Sequence, residues 1–374
     1  MGYHSWPYQT LQAVCSDVFR HLGFNGEEAD FITDVLLTSD LYGIESHGIQ
    51  RLYRYYQYLT KGVTDPKAKP EIVRETPVSA VVDGHNGMGQ LVSKRAMELA
   101  IEKAKKSGVG LVTVRNSNHY GIAGYYAKMA CKEGLMGISC TNTNAIMVPT
   151  YGRSAMLGTN PIAIAMPADP YDFFFDSATT VVTRGKLEVY GKAGKPMPEG
   201  WAVDADGLST TDAPLVLRNL MGKLGGGIMP LGGDSMLTGS HKGYGYGMVC
   251  ELLCSVISLG ESSKHAGEKG TGGICHFFGA VDPSIFGDPA EIRAHFSELL
   301  EEIRQSPKAA GQERIYTHGE KEAESVERLM KEGIPVNDNT LREIFKVTSA
   351  LGIDPAAYFG DFSLEEDSSF RSFY

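Results

Sequence analysis

Apolar positions near the N-terminus recur at helical spacing. Leu11, Val14, Val18 and Leu22 repeat every three or four residues, and Gly23 then stops the run. Ala29, Ile32, Val35 and Leu36 repeat the pattern, and Ser46 stands where it can cap a third helix carrying Ile49, Leu52, Tyr53 and Tyr56. Residues 62–75, with Pro66 and Pro70, read as a linker. The period then changes. Residues 78–83, 109–114, 136–141, 161–166 and 173–176 are short apolar runs of strand type, separated in part by helical patterns at 91–107 and 124–133. From 186 to 237 the chain is rich in Gly and Pro with little period, which predicts an irregular functional loop region. An apolar stretch at 244–259 predicts a buried helix, and charged amphipathic helices are expected at 289–302, 320–332 and 339–351.

Helices at both ends around a mixed centre predict an α+β fold. The expected division is a discontinuous helical domain from residues 1–75 with 285–350, a mixed α+β domain over 76–284, and a loose acidic tail at 357–374.

Composition narrows the function. The 374 residues carry a formal net charge of −10 with no dense basic stripe, which argues against a nucleic-acid partner but allows one cationic pocket for a small anion. The N-terminus has no export signal, and 244–259 is too short and too interrupted by Gly245, Gly247 and Glu251 to span a bilayer, so a cytoplasmic chain without a membrane partner is expected. The six cysteines are scattered, with only Cys250 and Cys254 close in sequence. They read as reduced core thiols, and without CxxC pairs or clustered histidines no metal site is expected.

Six stretches could carry chemistry. On one helix His47, Arg51 and Tyr55 would share a face, and a guanidinium there could grip a carboxylate through paired hydrogen bonds; the alternative is an ordinary amphipathic helix with Ser46 as its cap. Asn116-Ser117-Asn118-His119-Tyr120-Gly121 follows an apolar strand and offers an imidazole for acid–base work, or a histidine merely tied into a turn. Thr141–Asn144 and Gly158-Thr159-Asn160-Pro161 gather short donors and acceptors. Asp176, before Ser177-Ala178-Thr179-Thr180, could orient a histidine or cap a turn. Gly239-Ser240-His241-Lys242-Gly243 could approach a phosphate or simply pack tightly. Walker A, GxGxxG and GxSxG are all absent, so neither a Rossmann domain nor an α/β-hydrolase has local support.

Taken in order, these stretches resemble the type 2 malate/L-lactate dehydrogenase family. Further matches are Gly200-Trp201-Ala202 with Asp204 and Gly207, Leu231-Gly232-Gly233, and Lys242-Gly243-Tyr244-Gly245; the resemblance runs from about residue 8 to 350. It implies a non-Rossmann nicotinamide-binding domain using NAD or NADP, in a homodimer whose second chain helps build the site. It implies hydride transfer between the reduced cofactor and a small anionic 2-oxo acid of malate, lactate or sulfolactate type. The alternatives are ureidoglycolate-type or cyclic-imine chemistry on the same scaffold, or cofactor binding without catalysis. His119 is implied as proton donor or acceptor, with His47 and Asp176 as further catalytic candidates. Arg51, Ser46 and Tyr55 are implied to hold the substrate, and Thr143, Ser177, Ala178, Thr179 and Lys242 the cofactor. Residues 277–280 and 314–320 match weaker cofactor segments, and Thr317-His318-Gly319-Glu320 departs from the family's pattern there.

Overall fold

The computed structural model describes residues 2–192, 194–268 and 270–364. Strand β1 (Tyr3–Trp6) leads into helices α1 (Tyr8–His21), α2 (Gly26–Leu41) and α3 (Leu52–Thr60). A capping box starts α2: the Glu28 N–H donates to the Asn25 side chain at 2.9 Å, and the Asn25 N–H donates to the Glu28 carboxylate at 3.1 Å. The helix expected from Ser46 onward is broken. Two 3-10 turns, Glu45–His47 and Ile49–Arg51, precede α3. The cause is buried Asp40, whose carboxylate accepts the Ile49 N–H at 2.7 Å and sits so close that a Cβ on Gly48 would collide with it.

The supposed linker ends in an edge strand, β2 (Glu71–Glu75), which pairs antiparallel with β3 (Ser79–Asp83). Its glutamates and Arg74 keep this open edge charged. Then follow α4 (Gly89–Ser107), β4 (Val109–Ser117), α5 (Ala123–Lys132), β5 (Met136–Thr141), β6 (Ile162–Met166) and β7 (Phe173–Ser177). Next come α6 (Arg184–Lys192), β8 (Ala202–Val203), α7 (Ala213–Gly222), β9 (Gly227–Ile228), α8 (Ser240–Glu251) and β10 (Ile274–Val281).

Seven strands form the main sheet in the order β2-β3-β4-β10-β5-β6-β7. Only β3 and β4 run parallel; the remaining neighbours are antiparallel, so this is a mixed sheet and not a doubly wound one. Its centre is β10, which the apolar pattern left unassigned. Its side chains are buried on both faces: Phe278 packs with Met97 and Tyr126 under α4 and α5, while Cys275 and Phe277 face α8. That second face gathers Cys140, Cys250, Cys254 and Cys275, so four thiols that are scattered in sequence share one core; all six cysteines are free and buried.

The stretch expected to be irregular folds into a small module. Helices α6 and α7 bury Leu187, Met197, Ala202, Val216 and Ile228 together, beside the pair β8–β9. Asp212 caps α7 by accepting the Leu215 N–H at 2.9 Å, with Pro214 in the first turn. Helix α8 starts earlier than expected, continues into a π-helical turn at Leu252–Val256, and is buried on one side only. Tyr246, Met248, Val249, Leu252 and Val256 remain exposed.

The chain closes with α9 (Pro289–Gln305), α10 (Glu320–Glu332), β11 (Ile334–Asn337), α11 (Asp338–Ala350) and α12 (Ala356–Phe359). Strand β11 pairs antiparallel with β1, and Leu11, Ile32 and Leu52 share a core with Leu329, Leu341 and Ile344. Both termini therefore build one helical layer. Part of the expected loose tail is packed: Phe359 and Phe362 meet the Trp6 ring edge-on at 4.8 and 5.1 Å. Residues 365–374 lie outside the described residues.

Candidate active site

Side chains from the helical layer and from the sheet meet around His119. The Tyr55 hydroxyl on α3 lies 2.7 Å from His119 Nδ1, and the Gly121 N–H donates to the same nitrogen at 3.3 Å. Both neighbours converge on Nδ1, which leaves Nε2 to face an incoming oxygen. The His47 ring stacks on His119 with centroids 5.6 Å apart, and the Ser46 hydroxyl lies 2.9 Å from His47 Nδ1. Arg51 donates Nε to the Ser46 carbonyl at 2.6 Å, which fixes the root of its guanidinium. His47, Arg51 and Tyr55 are thus brought together as expected, but by two tight turns and a helix rather than by one helical face.

The His119 loop is held from behind. It leaves β4 at Ser117, whose hydroxyl lies 2.9 Å from Nε2 of His276, and that imidazole stacks on Tyr120 at 4.4 Å. A Cβ on Gly89 would collide with the backbone of Asn118 and His119, so α4 can approach the loop only with glycine there. The next residues start α5, and Asp176 caps it, accepting the Gly124 N–H at 2.7 Å. Asp176 was expected to orient a histidine or to cap a turn. Among the described residues neither His47 nor His119 bonds to it, and it caps α5 and not the turn that follows it in the chain.

Electrostatics follow from this packing. Burial, then the Arg54, His47 and Arg51 charges, hold His119 well below the usual histidine range. Burial and the Arg51 and Arg54 guanidiniums push His47 down to about 3. Asp176 moves the other way: burial lifts it to about 6 against the pull of the Gly124 N–H. At neutral pH both site imidazoles are therefore neutral and sit under two permanent cations. Arg54 went unremarked in the sequence, although its spacing of three residues from Arg51 on a helical pattern was there to be read.

The residues expected at the cofactor also come together. The Thr159 N–H donates to the Thr143 hydroxyl at 3.0 Å, the Thr179 N–H to the Thr159 carbonyl at 2.8 Å, and the Leu231 N–H to the Thr179 carbonyl at 2.9 Å. Leu231 in turn lines an open cavity of about 300 Å³ with Gly232, Gly239, Lys242 and Tyr246. Thr179 itself backs this wall, because its buried hydroxyl is spent on the carbonyls of Thr159 and Asn160. Ser177 and Ala178 stand at the end of β7, with the Ser177 hydroxyl donating to the Ala178 carbonyl at 3.0 Å. Helix α6 reaches the first group: a Cβ placed on Gly185 would lie 4.0 Å from the Ser46 Cβ. The 314–320 segment instead forms an ion cluster around Glu320, and His318 packs edge-on against Phe173 and Phe175 at 5.8 and 5.3 Å.

Comparison with known proteins points the same way as the motifs. A family model described as malate/L-lactate dehydrogenase matches residues 6–345. A malate dehydrogenase of Pyrococcus horikoshii is 44% identical over 351 residues, covering 93% of this chain and 96% of that protein. An L-sulfolactate dehydrogenase of Methanocaldococcus jannaschii is 39% identical over 346 residues, covering 91% and 96%. The crystal structure of malate dehydrogenase from Entamoeba histolytica superposes with a TM-score of 0.91 at 36% identity, over 94% of this chain and 99% of that one. The chain belongs to the malate/L-lactate dehydrogenase family and is a hydroxy-acid oxidoreductase of mixed α+β fold.

Proposed function

We propose that the chain interconverts a small 2-oxo acid and its 2-hydroxy acid, with NAD or NADP as redox partner. The observation that carries this reading is the meeting of His119, His47 and Tyr55 under the charge of Arg51. The Arg51 guanidinium holds the substrate carboxylate, and Ser46 and His47 line the same space. His119 passes a proton between Nε2 and the substrate oxygen. Tyr55 holds the ring through Nδ1 while Nε2 exchanges the proton. A bound carboxylate offsets the two cations and restores the imidazole's affinity for a proton, so the acid is armed when the substrate arrives.

The chain suits a dinucleotide on the far side of Ser46. Lys242 lies exposed in the first turn of α8, beside glycine backbone at Gly232, Gly239 and Gly243, where a diphosphate finds a cation and N–H groups. The cofactor supplies or takes the hydride, and no metal is called for.

The exposed apolar side of α8 supports a homodimer. Such a face is unusual on a free monomer, and it lies on the helix that carries Lys242, so a second copy there would also close the cofactor wall. Sedimentation of the chain as a monomer at micromolar concentration would remove this part. Six free, buried thiols fit a reducing compartment such as the cytoplasm.

The central test is spectrophotometric. NADH or NADPH should be oxidised by the purified chain only when a 2-oxo acid is added. No turnover across pyruvate, oxaloacetate, sulfopyruvate and a cyclic imine would dismiss the reading, and turnover of the imine alone would redirect it.

A further inference from the structure

Strand β10 runs between β4 and β5, and the side chain of one of its residues bonds to both. His276 is wholly buried. Its Nε2 lies 2.9 Å from the Ser117 hydroxyl at the end of β4, and its Nδ1 lies 2.8 Å from the Thr141 hydroxyl at the end of β5. Ser117 stands two residues before His119, and Thr141 two residues before Thr143. The pairing slips where β10 meets the end of β4: Ile274 pairs with Ser117 while His276 pairs with Val114. This bulge puts an extra residue on β4, with Asn116 at a φ of 55°, and the Ser117 hydroxyl comes onto the ring. Tyr120 covers one face of the ring, with centroids 4.4 Å apart and planes 8° from parallel. Burial pushes the imidazole down to about 3, with the Asn118 backbone pulling the other way, so the ring is neutral at working pH. A neutral imidazole carries one N–H and one bare nitrogen, and it can bond to two hydroxyls at once, one through each nitrogen.

We propose that His276 is a positioning residue: it holds the His119 loop and the Thr143 loop to one another, so that the proton donor and the cofactor wall keep a fixed separation. The inference rests on the 2-oxo acid reading above and adds a residue that acts through others. Hydride and proton must reach adjoining atoms of one substrate, the carbon and the oxygen of the same carbonyl, so the two loops must agree in position. Strands β4 and β5 are not neighbours of one another, and the two ring nitrogens span the strand between them at the level where both chains leave the sheet. Catalysis is sensitive to such placement, because a shift of about 1 Å arising away from the chemistry costs on the order of 100-fold in rate.

The test separates the two bonds. Asparagine places its amide where Nδ1 stands, and glutamine reaches to Nε2. His276→Asn therefore keeps Thr141 and gives up Ser117, and should lower kcat about 10-fold or more while cofactor binding weakens less than about threefold. His276→Gln keeps Ser117 and gives up Thr141, and should do the reverse. Affinity is read by fluorescence titration with NADH and NADPH, and kcat at saturating cofactor. Ser117→Ala should reproduce the first pattern and Thr141→Val the second, and these two decide the matter where a His276 variant fails to fold. A merely structural histidine predicts a lower melting temperature with no such split. Equal losses of kcat and affinity in both variants, or no loss in either, overturn the proposal. If the wild type turns over no 2-oxo acid or imine, the parent reading falls and the positioning role is judged on binding alone. Affinity lost in His276→Gln and kept in His276→Asn then supports it, and any other result defeats it.

Discussion

Two arginine pairs in this molecule act on different partners. Arg304 and Arg314 close on Glu320, with N–O distances of 2.6 Å each, and the carboxylate is almost wholly buried. Burial alone would raise Glu320, but Thr317 and the two guanidiniums outweigh it and hold it at about 2. Arg51 and Arg54 stand over two imidazoles instead, and their charge adds to burial in keeping both rings neutral. The first cluster is balanced by the chain itself and ties α9 to the start of α10. The second acts on two imidazoles in a protein of net charge −10, so what these rings feel is set by placement and not by composition. One arrangement closes on a carboxylate, and the other acts on two rings.

The sharpest way to break the second cluster is at His119. His119→Ala should lower turnover by about 100-fold or more, because a positioned proton donor contributes on that order, while cofactor binding survives. Measurement of kcat beside cofactor affinity checks this, and unchanged turnover reassigns the acid. The counterpart in the first cluster is Glu320→Gln. It leaves two guanidiniums facing a neutral amide and should destabilise the chain by about 3 kcal/mol, read by denaturant unfolding, with KM unaltered. The sign of its pH dependence follows from a depressed carboxylate. The stabilisation is full above about 4.5 and disappears as pH falls through about 2. A variant that loses KM but keeps its stability would reverse the roles of the two clusters.

How much of this was legible in the sequence depends on which force decides each element. Periodic apolar runs gave α1, α2, α4, α5 and strands β3 to β7 within a few residues, because a single buried face sets each of them. Strand β10 shows no alternation, since both of its faces are buried, and so the period carries no signal there. The α6–α7 module was hidden by its glycines and prolines, although Asp212 before Ala213-Pro214 is a helix start in plain view. The kink at Gly48 was not readable, because it depends on Asp40 from another helix. Site residues such as His119, Arg51 and Tyr55 were legible as motifs. Their convergence was not, since α3 and the β4 loop are joined by tertiary packing alone.

The smallest expected effect lies in the pH profile, and it ties the comparison to chemistry. A histidine whose folded value is lowered stays unprotonated down to that value. For oxidation of the 2-hydroxy acid, kcat/KM reports the free enzyme and needs His119 unprotonated. Its acid limb should therefore lie well below 6.5, the ordinary histidine value. Arg54→Gln removes one of the cations that depress the ring. The limb should therefore move up, toward the ordinary histidine value. Removing a charge from the Glu320 cluster, by Arg314→Gln, should leave the limb where it was. A limb near 6.5 in the wild type, or an equal shift from both substitutions, would mean that His119 does not feel Arg54 and that the site's positive bias is not what tunes its proton.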